Sequence, residues 1–144
     1  MRQERREDEP QGRAMDRAEI VHDAFRARVA EGRFPAARSA RGAADAGLDP
    51  EALTGLFRAQ AVSRHLDRVA RSLQAAGQGF YTIGSSGHEG MAAVAAALRP
   101  DDPAFLHYRD AAFQVARAEQ VPGQTPMWDM LLSFTASRED PISG

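Results

Sequence analysis

Tyr108-Arg109-Asp110 is the stretch whose residue types come nearest to an anion site. A guanidinium binds phosphate oxygens through two donors, and a Tyr hydroxyl adds a third. Just before a helix, these groups would sit beside free backbone N–H groups, where the helix dipole also favours negative charge. The same residues also suit an ordinary helix start, with a surface Arg and Asp110 as cap. Ser85-Ser86-Gly87-His88-Glu89 holds hydroxyls, an imidazole and a carboxylate. No second His or Asp stands at a spacing that makes a triad obvious, and adjacent His88 and Glu89 do not share a helix face. Ser86 and Glu89 have the Ser-x-x-Glu form of a capping box, which accounts for them without catalysis. No catalytic residue is therefore assigned. Asp101-Asp102 before Pro103 reads as a turn rather than a metal site. His22 and His107 lack ligand spacing, and His65 lies beside an apolar stripe. Arg64, Arg68 and Arg71, interleaved with Asp67, read as a solvated helix face. The chain has no glycine-rich phosphate loop, no HExxH and no paired-Cys spacing.

The elements that must position these groups are mostly helical. Asp49-Pro50-Glu51 opens the strongest one, with Asp49 as cap, Pro50 at the first helical position and Glu51 at the positive end of the dipole. Leu56, Ala59, Val62, Leu66, Val69 and Leu73 then form one stripe. The spacing predicts a helix over Asp49 to Ala76, stopped by Gly77 and Gly79. Shorter helices are predicted over Ser86 to Leu98, over Ala111 to Glu119, and from Pro126 with Met127, Met130, Leu131 and Phe134 as its face. Phe80 to Ile83 and Ala104 to Tyr108 read as short strands. The order strand, helix, strand, helix favours a parallel pair, with ligands beyond the strand ends. Residues 1–14 read as a disordered tail, 15–48 as a weak helix and linker, and 49–144 as the main domain.

Composition narrows the function classes. With a net charge of -2, the chain gives no reason to expect a nucleic-acid partner. All 18 basic residues are Arg, and Cys is absent, which removes disulfides and thiolate chemistry. No apolar run approaches the roughly 18 residues that span a bilayer. The charged start lacks the apolar centre of a secretory signal, so the cytoplasm is expected. Leu, Ile, Val and Phe number only 26 of 144 residues, thin for a self-sufficient core. The chain is expected to lean on a partner or on a missing remainder.

Taken together, one series of segments is more specific than its parts. It runs Leu56-Phe57-Arg58-Ala59-Gln60, Arg64-His65-Leu66-Asp67, Gly79-Phe80-Tyr81-Thr82-Ile83, Ser86-Gly87-His88-Glu89-Gly90, Ala95 to Asp102 and His107-Tyr108-Arg109-Asp110. This resembles the start of the α-type region of 2-oxo acid dehydrogenase E1 components, which use thiamine diphosphate. The likeness covers roughly Pro50 to Gly144. Phe80-Tyr81 after Gly79 looks more like the branched-chain members, and the ending from Leu132 to Gly144 looks like bacterial forms with fused α and β regions.

The resemblance implies a partial α/β thiamine-diphosphate-binding domain, mainly helical with a few short strands and truncated before its core is complete. It implies that Tyr108 and Arg109 hold the cofactor's diphosphate, and that Phe80 and Tyr81 wall the acyl pocket. No role is carried onto His88, where relatives often have Gln or Glu. Magnesium in this family is bound by a Gly-Asp-Gly motif with a downstream Asn, and the chain has no Gly-Asp-Gly. The activating carboxylate comes from the β region. The implied partners are thus an E1 β region or subunit and a lipoyl-bearing E2, with homo-oligomers when complete. This chain is expected to be an amino-terminal fragment, inactive alone. The alternative is a small helical interaction module without catalysis.

Overall fold

The computed structural model describes residues 17–36, 41–80 and 84–142. The tail expected at 1–14 and Tyr81 to Ile83 of the first predicted strand lie outside the described residues. The chain divides into two units, Met1–Ala40 and Arg41–Gly144. In the first, α1 (Arg17–Ala30) buries no residue, and Ile20, Val21, Phe25 and Val29 stay exposed.

In the second unit a single 3-10 turn, Ala44–Ala46, interrupts the expected linker. Among the described residues four helices follow: α2 (Pro50–Ala75), α3 (Met91–Ala97), α4 (Ala111–Ala118) and α5 (Pro126–Phe134). The start of α2 is as the sequence predicts, with the Asp49 carboxylate accepting from the Ala52 N–H at 2.8 Å. Its end is equally local. Gln78 N–H donates to Leu73 C=O at 2.8 Å and Gly77 N–H to Gln74 C=O at 3.0 Å. This closure needs a left-handed residue, which Gly77 supplies with φ +71°.

The core lies around α4, which touches α2, α3 and α5. Phe113 and Val115 are its large members, and Ala59, Ala92, Ala95, Ala112 and Ala116 complete it. Alanine lets helix axes approach closely, so a chain poor in Leu and Ile still builds a buried cluster. The buried stripe of α2 is Ala59, Ser63, Leu66 and Ala70, rotated from the predicted one. Val69 of the predicted stripe is exposed, and Leu56 and Val62 pack only at the core's margin.

The fold is mainly helical, as expected, but the strand predicted over Ala104 to Tyr108 is a correction, and of the one predicted over Phe80 to Ile83 only Phe80 is described. No strand occurs among the described residues. Ala104 to Tyr108 runs as exposed, irregular chain, and Phe105 is fully exposed. A β-prone run becomes a strand only with a ladder partner, and none occurs among the described residues. Phe80 sits at a bend. The helix predicted from Ser86 begins only at Met91, because residues 86–90 form turns.

Candidate anion site

The site grows from α2 outward. Asp67, on α2, accepts two hydrogen bonds at Oδ2 from Ser85, 2.7 Å from the backbone N–H and 2.9 Å from the hydroxyl. Gly84 lies so close that a Cβ there would stand 3.4 Å from both Asp67 Oδ2 and Arg71 Nη2. Ser85 is buried and starts the turn, with His88 N–H donating to its carbonyl at 2.7 Å. The capping box expected of Ser86 and Glu89 does not form. Glu89 Oε2 accepts from Gly87 N–H at 2.7 Å, and its Oε1 lies 3.4 Å from Arg64 Nε. Arg64 is also 3.4 Å from Asp67 Oδ2, so it braces the turn and is not merely a solvated residue.

This turn delivers His88 to Asp110. His88 Nδ1 lies 2.8 Å from Asp110 Oδ1, and His107 N–H donates to Asp110 Oδ2 at 2.9 Å. A carboxylate only accepts, so Nδ1 of His88 is the donor in this pair. Asp110 is buried. Burial pushes its carboxyl pKa up, but the His88 ring, the His107 amide and the charges of both imidazoles hold it below the usual carboxylate range. The His88 and His107 rings stack with centroids 5.6 Å apart, and the Tyr108 ring lies 3.8 Å from that of His107.

Tyr108 and Arg109 occupy the short turn between His107 and Asp110. Tyr108 is 57% exposed. Arg109 is half-buried, and its Nε is a buried donor with no hydrogen-bond partner. An orphaned buried donor is disfavoured by roughly 1–3 kcal/mol, which an acceptor placed there would relieve. Asp110 precedes α4, yet its side chain makes no capping bond to it. The cap expected from sequence is thus absent, because both carboxylate oxygens are held behind the turn. No family model matches the chain, and neither a curated protein nor a solved structure matches it.

The other predicted residues lie differently. Phe80 is 79% exposed after α2, and its N–H points to Phe134 C=O at 3.4 Å. Tyr81 lies outside the described residues. Asp101-Asp102 forms the expected turn: Asp102 accepts from Arg99 N–H at 2.9 Å and from Arg99 Nη2 at 2.7 Å. The Arg99 guanidinium and then its backbone N–H lower the Asp102 pKa. Arg117 Nη1 donates to the Asp102 carbonyl at 2.6 Å and ties this turn to α4. Among the described residues, no group of three or more His, Cys, Asp or Glu could hold a metal ion. No described helix is long and apolar enough to cross a membrane. Sequence reasoning missed the His88–Asp110 pair, whose members are 22 residues apart.

Proposed function

We propose that the chain acts as the amino-terminal part of the α-type region of a cytoplasmic, thiamine-diphosphate-dependent 2-oxo acid dehydrogenase E1 of branched-chain type. Tyr108 and Arg109 form one half of the clamp on the cofactor's diphosphate. The observation that carries this reading is the turn before α4. There a half-buried guanidinium has an unpartnered donor, and the side chain of Asp110 makes no capping hydrogen bond to the helix. Such a donor set suits an anion with several oxygens. Asp110 does not oppose it, because its charge is taken up by His88 and His107.

Thiamine diphosphate supplies the electron sink when a branched-chain 2-oxo acid loses carbon dioxide. The contribution of this chain is binding and orientation. On this reading, Phe80 and Tyr81 give an aromatic wall that shields the substrate's branched side chain from water. The magnesium ligands lie outside this chain, which has no Gly-Asp-Gly; an E1 β region brings the activating carboxylate, and a lipoyl-bearing E2 receives the acyl group. The complete assembly is a homo-oligomer. A non-catalytic interaction module is the second reading, supported by exposed Phe57 and Val69 on α2 and by Trp128, 59% exposed, on α5.

Titration of the chain with inorganic pyrophosphate and with thiamine diphosphate, followed by heteronuclear NMR, tests the first reading. Binding is expected in the millimolar range, with shifts centred on the Tyr108 to Ala112 amides. Losing one charged hydrogen-bond partner removes roughly 1.5–3 kcal/mol, or about 10- to 150-fold in affinity. Arg109→Ala should show that loss, Tyr108→Phe a smaller one, and Arg138→Ala none. Equal affinity in Arg109→Ala and the parent overturns the assignment and favours the interaction module.

A further inference from the structure

We infer that His88 and Asp110 form a positioning latch that keeps the Tyr108-Arg109 turn open to an anion. The inference rests on the diphosphate reading of that turn and adds two residues that the resemblance does not assign. An Asp directly before a helix has a local use for its carboxylate, which is to accept from the N–H groups of the first turn. Asp49 does this before α2, with an extended backbone at φ -82° and ψ 171°. Asp110 does not, and its backbone stands at φ -87° and ψ 37°. The conformations differ because Asp110 is held from the other side.

Oδ1 is held by His88 Nδ1, from a turn 22 residues upstream, and Oδ2 by His107 N–H. That upstream turn is itself fixed to α2 by Asp67 on Ser85 and by Arg64 on Glu89. Rigid helix, braced turn, imidazole and carboxylate thus form one chain of contacts ending at Tyr108-Arg109. Among the described residues, His88 supplies the hydrogen bond to Oδ1, and its removal releases that oxygen. Asp110 can then relax toward the extended capping geometry, and its negative charge swings onto the first turn of α4. That movement displaces Tyr108 and Arg109 and puts a carboxylate in competition with the ligand. His88 acts through Asp110 and is a positioning residue, not a catalytic one.

The test is a set of variants of the full chain, with inorganic pyrophosphate as the probe. His88→Ala should weaken pyrophosphate binding tenfold or more. In the same variant, without ligand, the Ala112 amide should gain hydrogen-bond character while the His107 amide loses it. His88→Gln can still donate to Asp110 and should keep near-parent affinity. The decisive variant combines His88→Ala with Asp110→Ala. It lacks the competing carboxylate and should bind more tightly than His88→Ala alone, which a merely structural role for His88 does not predict. Parent affinity in His88→Ala, or no recovery in the double variant, overturns the latch. If the parent binds no pyrophosphate, the diphosphate reading fails, and the His107 and Ala112 amides in His88→Ala still decide the latch.

Discussion

Asp49 and Asp110 occupy the same position, one residue before α2 and one before α4, and their side chains are used in opposite ways. Asp49 turns forward and caps, with its carboxylate 2.8 Å from the Ala52 N–H. Its partner is three residues away and its surroundings are exposed. Asp110 turns backward, is buried, and bonds a histidine 22 residues away. The first is a local solution that needs only its own helix. The second needs two other parts of the chain to be in place, and it leaves the helix start uncapped. A missed cap at a helix that carries the core is the kind of local inconsistency that marks a functional position.

The comparison breaks most strongly at Phe113. Phe113 sits in the first turn of α4 and is almost fully buried in the core. Truncating a buried Phe costs about 3–5 kcal/mol, from lost burial and the cavity left behind. Phe113→Ala is expected to lose that much in chemical denaturation, or to fail to fold. Leu53, the first large apolar side chain of α2, is exposed. Leu53→Ala should lie within about 0.5 kcal/mol of the parent, as surface changes do. Equal losses at the two sites would mean that α4 does not organise the core.

Acid separates the two regions next. The Asp110 pKa is lowered by its partners despite burial. A depressed carboxylate stabilises the fold above its unfolded pKa and loses that contribution as pH falls through the folded one. The contribution is therefore fully present above the usual aspartate range and is lost as pH falls through the lowered folded value. The groups facing the carboxylate are His88 and His107, with the Arg64–Glu89 pair behind the His88 turn. Stability measured from pH 6 downward should fall less steeply in Asp110→Asn than in the parent. An unchanged slope would detach Asp110 from the acid response.

The same contrast explains what was legible in the sequence. Asp49-Pro50-Glu51 and Gly77 mark the ends of α2, because caps act within one turn of chain. The order of the helices followed from spacing and from Gly and Pro. Ala104 to Tyr108 misled, since a short apolar run reads equally as strand or as irregular chain until its neighbours are known. The α2 stripe misled because Ala and Ser, not Val, face the core at Ser63 and Ala70. The residue types of Tyr108 and Arg109 fitted an anion site and an ordinary helix start alike, and only the family resemblance singled them out. The latch could not: Ser85 reaches Asp67 across 18 residues and His88 reaches Asp110 across 22. No local spacing encodes such contacts.

The smallest expected effect makes the comparison sharpest. Asp49→Ala removes one side-chain cap from an exposed helix start and should cost about 1 kcal/mol. Its cost should be confined to stability, because Asp49 touches nothing beyond the first turn of α2 in the hydrogen bonds described. Pyrophosphate affinity should stay at the parent value. Asp49→Asn can still accept from the Ala52 N–H and should recover most of the lost stability. At Asp110 the pattern is expected to invert, because the carboxylate there is held by His88 and His107 beside the Tyr108-Arg109 turn and makes no cap to α4. Asp110→Asn keeps an acceptor for the His107 N–H but no longer offers a charge to His88. It should shift the Tyr108 and Arg109 amides and change pyrophosphate affinity more than it changes the denaturation midpoint. A midpoint loss in Asp110→Asn equal to that in Asp49→Ala, with affinity untouched, would make the two aspartates the same device.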